Sequence, residues 1–163
     1  MNISAVFGVG YVVENIAEIK DSVDSAWNAL SIGKLAYPGE QVYYIEDFVL
    51  ENLLFSLKWT QAKRYLKKTV ASLYESNDWT DDLKKTMQEW LKTPFMQSEV
   101  ANRLSIHRNS LYYRLDRIKQ LSGMDMHNNN DVLSLKIAVI LKSFFSKEFE
   151  DILNLPHSKR QSQ

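Results

Sequence analysis

One stretch constrains this 163-residue chain more than any other: MQSEVANRLSIHRNSLYYRLDRIKQLSG, from Met96 to Gly123. It reads as two helices joined by a tight turn. Gln97 to Leu104 forms the first, Ser105 to His107 the turn, and Arg108 to Leu121 the second. In the second helix Leu111, Leu115, Ile118 and Leu121 recur at the spacing i, i+4, i+7, i+10, which builds a stripe facing a core. The opposite side carries Asn109, Tyr112, Tyr113, Arg117 and Gln120. Such a face has hydrogen-bonding tips, flat rings and positive charge. It suits the major groove of DNA, where base edges offer donors and acceptors and phosphates flank them. The plain alternative is a structural helix with a solvated polar face.

The first helix fits the same arrangement. Val100, Ala101 and Leu104 make an apolar edge, and the small Ala101 lets two helices cross closely. Gln97 or Ser98 sits where a helix N-terminus points free N–H groups at a phosphate. Residues 97–123 hold Arg103, Arg108, Arg114, Arg117 and Lys119 against Glu99 and Asp116, a net of +3. That footprint is modest and suits a unit that binds as a pair.

The run NRLSIHRNSLYYRLDRIKQLSGMDM resembles the C-terminal DNA-binding domain of the PucR/CdaR family of bacterial transcription regulators. The resemblance lies in Ile106-His107-Arg108-Asn109-Ser110-Leu111, in Tyr113-Arg114-Leu115 and in Gly123-Met124-Asp125. It extends to the flanking runs Leu83 to Leu91 and Val132 to Leu141, and so covers roughly residues 80–145. The helix pair is also similar to the Fis-type helix-turn-helix. That similarity implies Gln97 and Ser98 near phosphate, His107 and Arg108 near base edges, and Ser110 and Arg114 on the backbone. The Fis type is richly basic down its second helix, whereas this chain has Tyr112, Tyr113 and Asp116 there.

Charge divides the chain. Residues 1–57 carry two lysines against eight acids, and residues 58–163 carry 18 basic against 12 acidic residues. An acidic front and a basic rear suggest different jobs, with nucleic acid meeting the rear. There are no cysteines, which excludes disulfides and thiolate chemistry and suits a cytoplasmic setting. No apolar run reaches the length of a membrane span, and Met1-Asn2-Ile3 lacks the basic start of a signal peptide.

The front reads as β-α-β plus a helix. Ile3 to Val9 forms a strand closed by Gly8 and Gly10, and Val42 to Ile45 forms a second. Between them Asp21 or Ser22 caps a helix whose core face is Val23, Ala26, Trp27 and Leu30, with Gly33 and Pro38-Gly39 ending it. Gly8-Val9-Gly10 lacks the third glycine of a dinucleotide fingerprint and reads as a strand-end turn. Two strands cannot make a stable sheet alone, so either a partner adds strands or an upstream piece is missing. SAVFGVG, DSVDSAWNAL and VYYIEDFVLENLL resemble the end of the cyclase-like (GGDEF-like) regulatory region of CdaR-type proteins. No G-G-D/E-E-F sequence occurs, so cyclase activity is not implied.

The expected architecture is therefore mainly α with some β. Residues 1–57 are the remnant of a regulatory domain, residues 58–79 a connecting helix and hinge, residues 80–148 an all-helical helix-turn-helix domain of Fis/PucR type, and residues 149–163 a C-terminal tail, polar from His157. Lys63, Arg64, Lys67 and Lys68 read as a solvated face, with a phosphate-contact ridge as the alternative. Val132 to Phe145 is apolar nearly all round. With Phe149, Ile152 and Leu153 it forms either a dimer interface or packing on the front domain.

Enzymatic readings are weak. His107, His127 and His157 lack metal-ligand spacing, so neither a metal nor a cofactor is expected. Glu46-Asp47 and Asp81-Asp82 read as helix starts. The expected function is a DNA-binding transcription regulator, acting as a homodimer on double-stranded DNA, with a small-molecule effector sensed by upstream domains. Arg108, Asn109, Ser110 and Tyr113 would read bases or backbone, and Gln97, Ser98, Arg114, Arg117 and Lys119 would anchor phosphates. Tyr112 with Tyr113 suits sugars or thymine methyls, or Tyr113 props the turn. His107 braces the turn or touches a base, and Arg114 pairs internally with Glu99 or contacts the DNA backbone. A protein-interaction module built on a degenerate helix pair is the alternative function.

Overall fold

Gly8 and Gly10 control how the first elements meet. In the computed structural model, which describes residues 5–153, β1 (Phe7–Val9) runs parallel to β2 (Val42–Tyr44). Phe7 stands opposite Val42 and Val9 opposite Tyr44. The connecting helix α1 (Ile19–Ala36) packs on both strands. A Cβ on Gly8 would lie 2.2 Å from the Ala26 carbonyl oxygen, and one on Gly10 would lie 2.0 Å from that of Ser22. The strand therefore touches helix backbone at a range that only glycine permits, and the G-x-G is a packing device.

This close approach decides which stripe of α1 is buried, and it is not the expected one. Ser25, Ala29, Ile32 and Gly33 are buried, whereas Val23 is 50% and Trp27 66% exposed. Ser25 Oγ accepts from the Tyr11 amide at 3.0 Å and donates to the Ser22 carbonyl at 2.8 Å, so the segment just after β1 is tied to this buried stripe. The helix also begins earlier than expected, after a 3-10 turn at Ile16–Glu18 capped by Asn15, and it runs through Gly33 instead of stopping there. Gly33 faces the buried ring of Tyr43, which leaves no room for a Cβ. A 3-10 turn at Ile45–Phe48 leads into α2 (Val49–Phe55), which Asn52 links to Asn28 of α1 at 2.9 Å.

The chain divides after Lys58 into two compact units. The second holds α3 (Trp59–Thr69), α4 (Ala71–Glu75), α5 (Asp81–Lys92), α6 (Gln97–Arg103), α7 (Arg108–Ser122), α8 (Asn129–Phe144) and α9 (Ser146–Leu153). The fold is thus mainly α, with nine α-helices and a two-stranded parallel sheet among the described residues, in agreement with the sequence. The apolar helix α8 buries Val132, Leu135, Ala138 and Leu141. Its cover comes from α3, α5 and α9: Tyr65 donates to the Ser134 carbonyl at 3.1 Å, and the Trp59 and Phe145 rings lie 5.4 Å apart. Leu133 remains 51% exposed. Ile3, the side chains of Ile152 and Leu153, and the tail from His157 lie outside the described residues.

Candidate nucleic-acid interface

The support for the helix pair is α5. Thr80 caps it, and Asp81 and Asp82 place negative charge in its first turn, where the helix dipole favours it. Leu83, Met87, Trp90 and Leu91 face inward, as their spacing requires. The fully buried Trp90 donates from Nε1 to the Met126 carbonyl at 3.0 Å, so α5 is pinned to the segment that follows α7.

The helix pair starts and stops within one residue of the sequence expectation. Val100 and Ala101 are buried on α6, and Leu111, Leu115 and Ile118 on α7. Each fully buried Leu or Ile is worth about 1.5–3 kcal/mol relative to exposure, so the stripe is ample to hold a short helix in place. In the turn Ser105 adopts a positive φ of 53°, and the Ile106 amide donates to the Ala101 carbonyl at 3.0 Å. His107 caps α7, its Nδ1 accepting from the Asn109 amide at 3.2 Å. Gly123 ends the helix in the left-handed region at φ 74°.

The opposite face of α7 is open. Arg108, Asn109 and Ser110 are exposed, as is Ser98 of α6, and Tyr113 is 72% exposed. Three of the expected site residues come together at one end: Arg108 Nη2 donates to Gln97 Oε1 at 2.9 Å and to the Tyr112 hydroxyl at 3.1 Å. Its guanidinium also sits 5.6 Å from the centre of the Tyr112 ring. Tyr112 lies beside His127, which in turn meets Trp90 edge-on. A chain of rings thus runs from the core to the Arg108 guanidinium.

The other cations of α7 are engaged with acids. Arg114 Nη2 lies 2.7 Å from Asp82 Oδ2, and its Nη1 donates to Thr86 at 3.4 Å. This replaces the expected pair with Glu99, whose partner is Arg103 on its own helix. Arg103 also reaches Glu89 at 2.8 Å and binds Thr93, which clamps α6 to α5. Arg117 pairs with Asp78 and with Gln120. Lys119 meets Asp125 at 2.7 Å. The Lys119 ammonium, with the His127 amide, holds the Asp125 carboxyl below the usual carboxylate range, and Asp125 in return raises Lys119. Among the described residues, Arg108 is the α7 cation without a carboxylate partner. Asp78 and Asp82 lie 39 and 32 residues from their arginines, so no local pattern could have paired them.

Among the described residues no cluster of His, Asp or Glu is arranged to hold a metal ion. None of their helices is long and apolar enough to cross a membrane.

Comparison with known proteins points the same way as this geometry. Residues 83–141, from α5 to the later part of α8, match the family model described as the PucR C-terminal helix-turn-helix domain. The chain is 28% identical over 142 residues to the purine catabolism regulatory protein of Bacillus subtilis (strain 168), covering 86% of this chain and 26% of that protein. It is 32% identical over 123 residues to the carbohydrate diacid regulator of Escherichia coli (strain K12), covering 76% of this chain and 32% of that protein. An uncharacterized protein of Haemophilus influenzae is 28% identical over 121 residues, covering 74% of this chain and 32% of that protein. The chain thus spans between a quarter and a third of the length of these curated relatives. Over α5 to α8 this chain therefore carries a helix-turn-helix domain of the PucR type, and it is similar to regulators of the PucR/CdaR kind.

Proposed function

We propose that the chain is the DNA-reading part of a transcription regulator, with α7 in the major groove. The observation that carries this reading is the division of α7 into two faces. Its aliphatic side is buried, while Arg108, Asn109, Ser110 and Tyr113 stand together on the exposed side. Arg108 is fit to read a guanine edge, because a guanidinium presents paired donors to O6 and N7. Asn109 and Tyr113 lie beside it along the groove. Gln97 and Ser98 on α6, and Arg114, Arg117 and Lys119 on α7, supply the phosphate contacts, the last three by exchanging their carboxylate partners for phosphate. His107 shapes the turn as the cap of α7 and presents Asn109.

The small positive charge of one helix pair favours binding as a homodimer, with half-sites about 34 Å apart. The first unit, together with further domains of a longer protein, would pass the state of a small-molecule effector to this reader.

Salt-titrated binding to duplex DNA tests the reading. Affinity should fall steeply as salt rises, because phosphate contacts release counterions. The same chain should prefer fragments from upstream of the genes it controls over random duplex. Absence of duplex binding even at low salt would overturn the reading.

A further inference from the structure

Between α7 and the connection from α4 to α5 lies an open groove of about 770 Å³. Asn109, Tyr113, Arg114 and Arg117 line one wall, and Asp78 and Asp82 line the other. Each arginine in the groove is matched to one aspartate across it. The aspartate side chains are 67% and 62% exposed, for Asp82 and Asp78 in turn, and those of Arg114 and Arg117 are 21% and 36% exposed. A pair whose carboxylate stands largely in water is weak, too weak to hold an arginine against a well-placed phosphate. It is enough to make a poorly placed phosphate unattractive. A duplex that settles along α7 must therefore exchange two carboxylates for phosphates, and those carboxylates remain nearby to repel it.

Resting on the reading of α7 as a DNA-facing helix, we propose that Asp78 and Asp82 are specificity-determining residues. They compete with DNA phosphates for Arg117 and Arg114, and so suppress binding to duplex of arbitrary sequence. Correct base contacts at Arg108 and Asn109 recover what the exchange costs, and an arbitrary sequence cannot.

Asp78 is the cleaner of the two to test, because Asp82 also sits in the first turn of α5, where its charge supports the helix. The full chain is titrated against a random-sequence duplex by fluorescence anisotropy over a salt series, as wild type, Asp78→Asn, Arg117→Gln and the double variant. Asp81→Asn serves as the control. It removes the same charge three residues away, but its partner is Lys84 and not α7. Asp78→Asn should raise affinity for the random duplex several-fold and steepen the salt dependence by about one phosphate contact. Asp81→Asn should do neither, and the effect of Asp78→Asn should vanish in the Arg117→Gln background. The proposal is overturned if Asp78→Asn leaves affinity unchanged, lowers it, matches Asp81→Asn, or acts equally without Arg117. In each of those cases wild-type binding keeps the reading of α7 intact. If wild type and all variants fail to bind duplex at the lowest salt, the proposal and that reading fall together.

Discussion

Arg108 Nη2 lies 2.9 Å from Gln97 Oε1, so the first turn of α7 is tied through side chains to the first residue of α6. Both groups are on the outer surface of the pair, and the guanidinium carries no carboxylate. Arg108→Ala should therefore cut affinity for a specific site by about 1–3 kcal/mol and relax preference at one base pair. Thermal stability should stay within about 0.5 kcal/mol, as for other surface substitutions. Anisotropy titration against single-base variants of the site, with a melting curve alongside, checks both parts.

Leu115 is 1% exposed on the inward side of the same helix. Leu115→Ala should destabilise the second unit by about 2–5 kcal/mol through lost burial and the cavity left behind. Urea unfolding reads this directly as a lowered midpoint with an unchanged slope. A loss below about 1 kcal/mol would mean that the helix is not seated as described.

Trp90 and Met126 share a buried hydrogen bond between α5 and the segment after α7. Trp90→Phe leaves the Met126 carbonyl unsatisfied in a dry place, which costs about 1–3 kcal/mol in addition to the lost ring volume. Denaturant unfolding followed by circular dichroism measures the loss.

Glu89 gives a pH test. Its carboxyl is held below the ordinary glutamate range, first by the Lys92 ammonium and then by Arg103. A carboxyl whose folded pKa is depressed binds fewer protons folded than unfolded. Its contribution is therefore present above the unfolded value of about 4.3 and is lost as pH falls through the folded value. Wild type should lose melting temperature over this acid window faster than Glu89→Gln, and the difference between the two should shrink as pH falls. Parallel curves would remove Glu89 from the account of acid sensitivity.

Much of the second unit was legible in the chain because its signals are local. The spacing of Leu111, Leu115 and Ile118 marks one face of α7, His107 and Gly123 bracket it, and the helix forms between them. Helix α1 was less legible. Apolar residues lie on more than one of its faces, and periodicity alone chose Val23 and Trp27, which are exposed. Gly8 of β1, Gly10 just after it and the Gly33–Tyr43 contact select the other stripe, and that selection depends on backbone approach between distant segments.

The same distinction runs through the candidate interface. By itself the sequence determined that a short amphipathic helix would bury its leucines and turn Asn109, Tyr113 and several cations outward, because helical geometry needs only neighbours three and four residues apart. Only the tertiary structure decided which of those cations are neutralised. Asp82, Asp78 and Asp125 reach Arg114, Arg117 and Lys119 because the fold carries them there. An ion pair depends on distance in space, and separation along the chain does not set it.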